Sequence, residues 1–442
     1  MKKRLIALLL ISVLSVSLFG CTPKDNSITT EPEITTVQTD PTLPESVKGY
    51  DKVDPKVLSF STDLYSTVTL SKGYESLKND AQRQCYRLME ESVFYISQES
   101  DEGVYHILPV TVSSGIEEAE LHLIISAFTF DHPGVFWIDN SFSYYSTSGT
   151  TYLRLTSNMN AQQVTEGAKK MYAELREIFS AMPGNLSEFD RELFIHDRFI
   201  ERCVYADETL RAQNNPEIYT SYGAIVNSVA VCEGYSRAMQ LMLSLVGIEN
   251  YYVYGRGNSE LHMWNSVRLG DNWYFLDATW NDKGNKGSAH NYFNITTEQL
   301  LKDHYIAPLY DELSADEICG SGTGIAVNFN LFVPECNSEN MSFYSQNAIS
   351  VTGFDDENLD RIAQGFADAA NNREEAVYLY IDPYYLDFET AKDNFFYSGD
   401  YAIFTCISRA NNLLSGVTIR NDYLQTEESV ALSILIIYPE YE

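Results

Sequence analysis

An α+β fold is predicted for this chain, and three observations predict it. Helical spacing of apolar residues recurs over Ala161 to Ala181 and over Ser187 to Cys203. Leu261 to Leu269 reads as a strand whose side chains alternate between two faces, and Trp273 to Ala278 continues as its partner after the turn Gly270-Asp271, the pattern of an antiparallel hairpin. Beyond Gly324 strand-like and helix-like segments mingle again. A length of 442 residues is too great for one ordinary core and suggests two to three domains of roughly 150 residues.

Composition is globular, at 44% hydrophobic and 13% aromatic, and its 31 tyrosines favour β-rich packing. Sixty-two acidic against 30 basic residues give a formal charge of −32, a field that repels phosphate backbones and anionic headgroups. Nucleic acid is therefore excluded as an expected partner, and a neutral or cationic peptide suits the field better.

In chain order, Lys2, Lys3 and Arg4 precede the apolar run Leu5 to Leu18. That run is short of the ~20 residues a spanning helix needs and fits an export signal. It closes on Leu18-Phe19-Gly20-Cys21, which resembles the bacterial lipoprotein cleavage box with Cys21 as the lipid-modified residue. Loss of residues 1–20 removes three positive charges and takes the formal charge to −35. Residues 21–50, rich in Thr, Pro, Glu and Asp, cannot bury enough surface to offset ordering and are expected to be a flexible tether. The expected location is the membrane surface, facing outward, with contact to the membrane through the lipid anchor only.

Residues 51–160 are expected to form an N-terminal α+β portion. Leu77, Tyr86, Met89 and Val93 fall at helical spacing, as do Leu121, Ile124, Ile125 and Phe128, and Asp131 to Gly134 ends the second helix. Phe136 to Ile138, Ser141 to Tyr145 and Thr151 to Leu155 look like short strands. Residues 161–320 are expected to be the catalytic domain, with Gly320 to Gly324 as its boundary. In residues 325–442, Phe329 to Val333, Ala376 to Ile381, Tyr401 to Ile407 and Ala431 to Tyr438 are strand-like; Asn358 to Ala370 and Tyr385 to Phe395 are helix-like. This last α+β domain carries no chemical signature.

The chemistry is concentrated between Ser221 and Asn281, where a thiol, an imidazole and a carboxylate follow in order as Cys232, His262 and Asp277. A cysteine nucleophile needs a base for its proton and a third group to fix the base's tautomer. Tyr235, Ala238, Met239, Met242, Leu245 and Val246 make one helical face ended by Gly247, which puts Cys232 at a helix N-terminus. There unpaired N–H groups and the helix dipole favour a thiolate and can serve an oxyanion. A two-residue turn at Gly270-Asp271 pairs Leu269 with Asn272, so that His262 and Asp277 share a face as diagonal neighbours. A three-residue turn reverses that parity.

These runs, IHDRFIERCVY, SYGAIVNSVAVCEGYSRAMQLMLSLVGI, LHMWNSVRL, NWYFLDATWND and NYFNI, resemble in order and spacing the transglutaminase-like superfamily of papain-type cysteine enzymes over about residues 190 to 305. The resemblance implies a papain-like core, a cysteine helix packed on an antiparallel sheet that carries the other two residues. It implies Cys232 as nucleophile, His262 as base and then acid, and Asp277 as orienter. Met263 stands where the family often has Ala, and Asn281 where an acidic residue often follows the tryptophan. The region from about Tyr74 resembles the leading part of such proteins more weakly, and the segment after Gly324 resembles no family.

Other features take plainer readings. Tyr222 and Trp264 either line the cleft and assist an oxyanion or are core aromatics. His196-Asp197 reads as surface or packing residues rather than a second acid–base pair, and Gly255-Arg256-Gly257 as a hairpin loop. Cys85 and Cys203 fall in helix patterns and Cys406 in a strand; Cys319 and Cys336 flank the boundary where a disulfide is permitted, but no pairing is predicted. CxxC, HExxH and calcium-loop patterns are missing, so neither a metal nor a cofactor is expected. The expected function is an anchored extracellular thiol enzyme on peptide or protein amides, cell-wall peptide included, acting by hydrolysis or transamidation. Two rivals are a catalytically silent binding module of the same fold and a structural lipoprotein adhesin.

Overall fold

The computed structural model describes residues 46–442 except 62–64, 148, 214, 285–288, 322–325, 400 and 421–423. The leader, Cys21, most of the tether and the glycines of 322–324 lie outside the described residues. The architecture is α+β, in two compact units: residues to 185, 202–263 and 304–333 form the first, and residues 186–201, 264–303 and 334–442 the second. The chain passes between them five times, once within strand Glu260–Leu269, between Met263 and Trp264. Among the described residues no helix is long and apolar enough to cross a membrane.

The first unit contains a six-stranded sheet in the order Tyr50–Lys52, Tyr95–Asp101, Val104–Ile107, Thr150–Ser157 and Val110–Val112, with Ile138–Thr147 also paired to Thr150–Ser157. The two short strands expected at Phe136 to Ile138 and Ser141 to Tyr145 are thus one, because the ladder on Thr150–Ser157 runs from Thr147↔Thr150 to Ile138↔Ser157 across a bulge. Helix Glu118–Asp131 is buried on nearly every side, and Asp131 at its end accepts from the N–H groups of Gly73 and Tyr74 at 2.8 and 2.7 Å and from the Tyr86 hydroxyl at 2.9 Å. Those bonds satisfy N–H groups at the start of helix Lys72–Ser76, whose N-cap residue, Ser71, turns its hydroxyl to Glu75 instead of capping. Helix Ala161–Ser180 begins with a capping box of Asn160 and Gln163.

Also in the first unit, helix Cys232–Leu245 follows a two-residue parallel bridge of Val204–Tyr205 with Val229–Ala230. Strand Asn250–Gly257 pairs with His304–Ile306, with Gly255 opposite Ile306 and Gly257 opposite His304. Gly255-Arg256-Gly257 is therefore strand, not loop. The chain reverses one step later, where Asn258 and Ser259 both take positive φ, 48° and 74°.

In the second unit, Trp264 to Leu269 pairs with strand Asn272–Leu276 from Leu269↔Asn272 to Asn265↔Leu276, across the two-residue turn expected from the sequence. The strand ends at Leu276 and not at Ala278, because Asp277 turns the chain into the short helix Ala278–Asn281. The C-terminal part carries a four-stranded sheet in the order Ile349–Val351, Val377–Ile381, Ile434–Tyr438 and Gln425–Ser429, its first pair parallel and the rest antiparallel.

Tyr401 to Ile407, expected as a strand, lies in helix Ala402–Leu413 apart from Tyr401 itself. Its buried residues Ile403, Cys406, Ile407 and Ala410 follow helical spacing, and that face joins the core of Phe366, Ala370 and Phe395. Tertiary burial overrode the β-branched composition. Phe329 to Val333 is not a strand either; Asn330 makes only an isolated bridge to Leu309.

Candidate active site

Cys232 is the first residue of its helix and is half-buried. The residue before it, Val231, takes extended backbone and has no side chain that can cap, so the first-turn N–H groups are left for other acceptors. Close approach at this end depends on Gly234, where a Cβ would stand 2.6 Å from the Ile218 carbonyl and 2.7 Å from Ala230 Cβ. Glu233 is engaged structurally: it pairs with Arg237 at 2.9 Å one turn along the helix, and that guanidinium lies 5.2 Å over the Tyr252 ring.

Tyr205, whose phenol sequence reasoning missed, belongs to this end. Its strand residue pairs with Ala230, and its hydroxyl accepts from the Cys232 backbone N–H. Burial first, and then the neighbouring Cys232 charge, pushes that hydroxyl well above the ordinary tyrosine value. The only signal in the sequence was position, two residues after Cys203 in a run noted for other reasons.

All six described cysteines are free thiols. Burial pushes Cys85 and Cys406 up to about 12 and Cys319 up to about 11, and Cys336 higher still. These four are held protonated, as small hydrophobes are. Cys406 sits in a helix rather than a strand, and Cys203 is buried just past the end of helix Glu188–Arg202.

His262 stands near the start of strand Glu260–Leu269 and is 8% exposed. Its ring lies 5.5 Å from that of His304, which begins the strand paired to Asn250–Gly257. Of the two aromatics with open roles, Tyr222 is buried with its ring stacked on Phe136 at 4.8 Å, and Trp264 is 1% exposed. Both rings are interior.

Asp277, in the second unit, is 1% exposed and caps helix Ala278–Asn281, accepting from the Trp280 N–H at 3.1 Å. Its own N–H donates to the Tyr292 carbonyl at 3.0 Å. The turn it opens is locked by Asn281, whose Oδ1 accepts from the Tyr292 N–H at 2.9 Å. That bond assigns the amide orientation, so Nδ2 donates to His196 Nε2 at 3.1 Å. His196 therefore carries its proton on Nδ1 and donates to Asp197 Oδ1 at 2.8 Å, and His290 Nε2 meets the same oxygen at 2.8 Å.

His196 is completely buried, so of its two expected roles, surface or packing, it takes an interior one. It joins a polar network of partners 85 and 93 residues distant from it and from Asp197. Burial lowers the His196 pKa against the opposing pull of Asp197. Burial would raise the Asp197 carboxyl, but the hydrogen bonds from His196 and His290 hold it well below the usual carboxylate range. The His290 ring is stacked on Phe343 at 3.7 Å.

Asn281 stands where an acidic residue was expected from the resemblance. A carboxylate there could accept from Tyr292 but could not donate to His196, so the amide decides the imidazole's tautomer. Nearby in the same unit, Glu192 is fully buried, accepts from Asn294 at 2.7 Å, and is pushed up to about 8 by burial. A cavity of this unit, about 460 Å³, is lined by residues that include Ser187, Glu188, Asp190, Leu269, Met341 and Gln346. None of Cys232, His262 and Asp277 lines it.

Comparison with known proteins adds one match to a family model, the transglutaminase-like superfamily, over residues 158–278. No curated protein matches the chain. A solved structure described as a TGase is similar at 14% identity, covering 42% of this chain and 54% of that one, with a TM-score of 0.24. A candidate cysteine protease from Cytophaga hutchinsonii is similar at 13% identity, covering 31% and 61%, with a TM-score of 0.21. The chain thus spans 54% and 61% of those two structures, and at such scores neither carries an argument about it. The family match covers the cysteine helix, the histidine strand and Asp277, and residues 158–278 belong to the transglutaminase-like superfamily.

Proposed function

We propose that the protein is a thiol enzyme acting on peptide or protein amide bonds, with Cys232 as nucleophile, His262 as general base and acid, and Asp277 as the residue that orients His262. The observation that carries this reading is the position of Cys232 as the first residue of an uncapped helix inside the family-matched stretch. The two-residue Gly270-Asp271 turn supports it. It pairs Leu269 with Asn272 and Asn265 with Leu276, the parity on which a shared face for His262 and Asp277 was expected.

In the proposed reaction the Cys232 sulfur attacks the amide carbonyl while its proton passes to His262. The oxyanion accepts from the Cys232 N–H as the Tyr205 hydroxyl yields it. Collapse breaks the C–N bond, His262 protonates the departing amine, and an acyl-thioester remains. Water or a second amine, deprotonated by His262, then releases the acyl group and restores the thiol. Hydrolysis is favoured over cross-linking in this reading because the sequence has no calcium-loop pattern beside the triad.

The protein would work at the cell membrane, held by lipid on Cys21 and facing the extracellular side, with cell-wall peptide among its substrates. The test is a trap: electrophilic peptides incubated with the full chain and analysed by mass spectrometry, with and without added amine. Selective acylation of Cys232, lost in Cys232→Ala, is expected. If Cys232 reacts no faster than a model thiol with every peptide and with iodoacetamide from pH 5 to 8, the silent binding module replaces the enzyme.

A further inference from the structure

We propose that Glu118, His122 and Cys319 form a zinc site within the first unit, remote in sequence from Cys232 and independent of the thiol chemistry assigned to it. Glu118 and His122 stand four residues apart on helix Glu118–Asp131 and so share one face. Cys319 ends the short helix Ala315–Cys319, where Gly320 turns the chain in the left-handed conformation at φ 67°. One ligand atom from each of the three lies within 4.8 Å of the others. A tetrahedral zinc with bonds of about 2.0–2.3 Å needs its ligand atoms roughly 3.5 Å apart, inside that bound.

The surroundings are those of a prepared site. The Tyr144 hydroxyl donates to Glu118 Oε2 at 2.7 Å, the kind of outer hydrogen bond that orients a ligating carboxylate. Phe142 meets the His122 ring edge-on at 5.1 Å and limits its rotation. Beside His122 lies a void of about 10 Å³, lined also by Ser126, Tyr254 and Val327. That is about the room of one water molecule, the usual fourth ligand when a protein supplies three.

A thiolate, an imidazole and a carboxylate select zinc over calcium or magnesium, which take oxygen. On binding, the Cys319 S–H bond breaks, its proton leaves to solvent, and the sulfur's electron pair forms the Zn–S bond. The two anionic ligands then balance the charge of the ion. The apolar cluster at this contact is small, Ala119, Ile318 and Phe329 with Tyr310, Leu313, Cys319 and Leu331 packed against them, so the ion would add a second tie between helix Ala315–Cys319 and helix Glu118–Asp131.

The test uses the full chain carrying Cys232→Ala, stripped with chelator and titrated with zinc chloride under native mass spectrometry, and with cobalt(II) followed by absorption. One zinc per chain and a thiolate-to-cobalt charge-transfer band are expected. Cys319→Ser and His122→Ala should each weaken zinc binding about 100-fold, and Cys319→Ser should abolish the cobalt band. Melting of the metal-free variants checks that they fold; if Cys319→Ser does not, protection of Cys319 from iodoacetamide by zinc in the parent chain serves as the measurement. Failure of the folded parent to retain zinc, or binding that survives both substitutions unchanged, overturns the site.

Discussion

The start of the cysteine helix and the turn that follows Asp277 handle polar groups in opposite ways. At Cys232 the preceding residue is Val231, no side chain caps the helix, and the backbone N–H is shared with the adaptable hydroxyl of Tyr205. At Asp277 the partners are fixed: Asp277 caps its own helix, and Asn281 ties the turn to Tyr292 and His196, which in turn meets Asp197. An attacking group must be free to change partners during a reaction. An orienting group works by having its partners fixed.

This contrast can be broken at several points. The largest effect is expected from Cys232→Ala, which should abolish acyl-enzyme formation and lower turnover about 10⁴-fold or more, as loss of a nucleophile does. Next is Gly234→Ala. A methyl 2.6 Å from the Ile218 carbonyl forces the helix start outward and should cost about 3 kcal/mol, read as a fall in the denaturation midpoint.

Asn281→Ala tests the fixed end. It leaves the Tyr292 N–H and His196 Nε2 without the amide and should cost about 2–4 kcal/mol. Nitrogen NMR should show His196 losing its single tautomer, whereas a merely space-filling Asn281 would leave that signature unmoved.

Glu192 gives a pH test in the same unit. Its folded pKa, about 8, lies above the ordinary 4.5, so the folded state holds its proton more tightly. The stability it contributes is complete below about pH 4.5 and is lost as pH rises through about 8. Glu192→Gln should flatten the melting temperature across that window and raise it at pH 8. The smallest effect is expected at the adaptable end: Tyr205→Phe releases one hydrogen bond of about 1 kcal/mol and should speed acylation about fivefold. A slower enzyme would mean that the hydroxyl assists the reaction instead of competing with the oxyanion.

Local patterns were legible where the deciding forces are local. The 3.6-residue spacing after Cys232 yields the helix Cys232–Leu245, and the Gly270-Asp271 turn sets the register that joins Leu269 to Asn272. Glycines 255 and 257 were misread because their partners, Ile306 and His304, lie about fifty residues downstream. Tyr401 to Ile407 was misread because its residue types favour strand, while the core it faces rewards one helical side. His196 and Asp197 looked ordinary because Asn281 and His290, which give them meaning, come from another part of the chain.

The sequence alone therefore determined the order of thiol, imidazole and carboxylate, the helix that starts at the thiol and the parity of the hairpin. These depend on spacing of a few residues and on turn chemistry. The tertiary structure decided which tautomer His196 holds, which thiols are buried and protonated, that Tyr205 meets the Cys232 N–H, and that Glu118, His122 and Cys319 converge. Each of these depends on desolvation and on hydrogen-bond geometry between distant segments, which no local pattern of residues encodes.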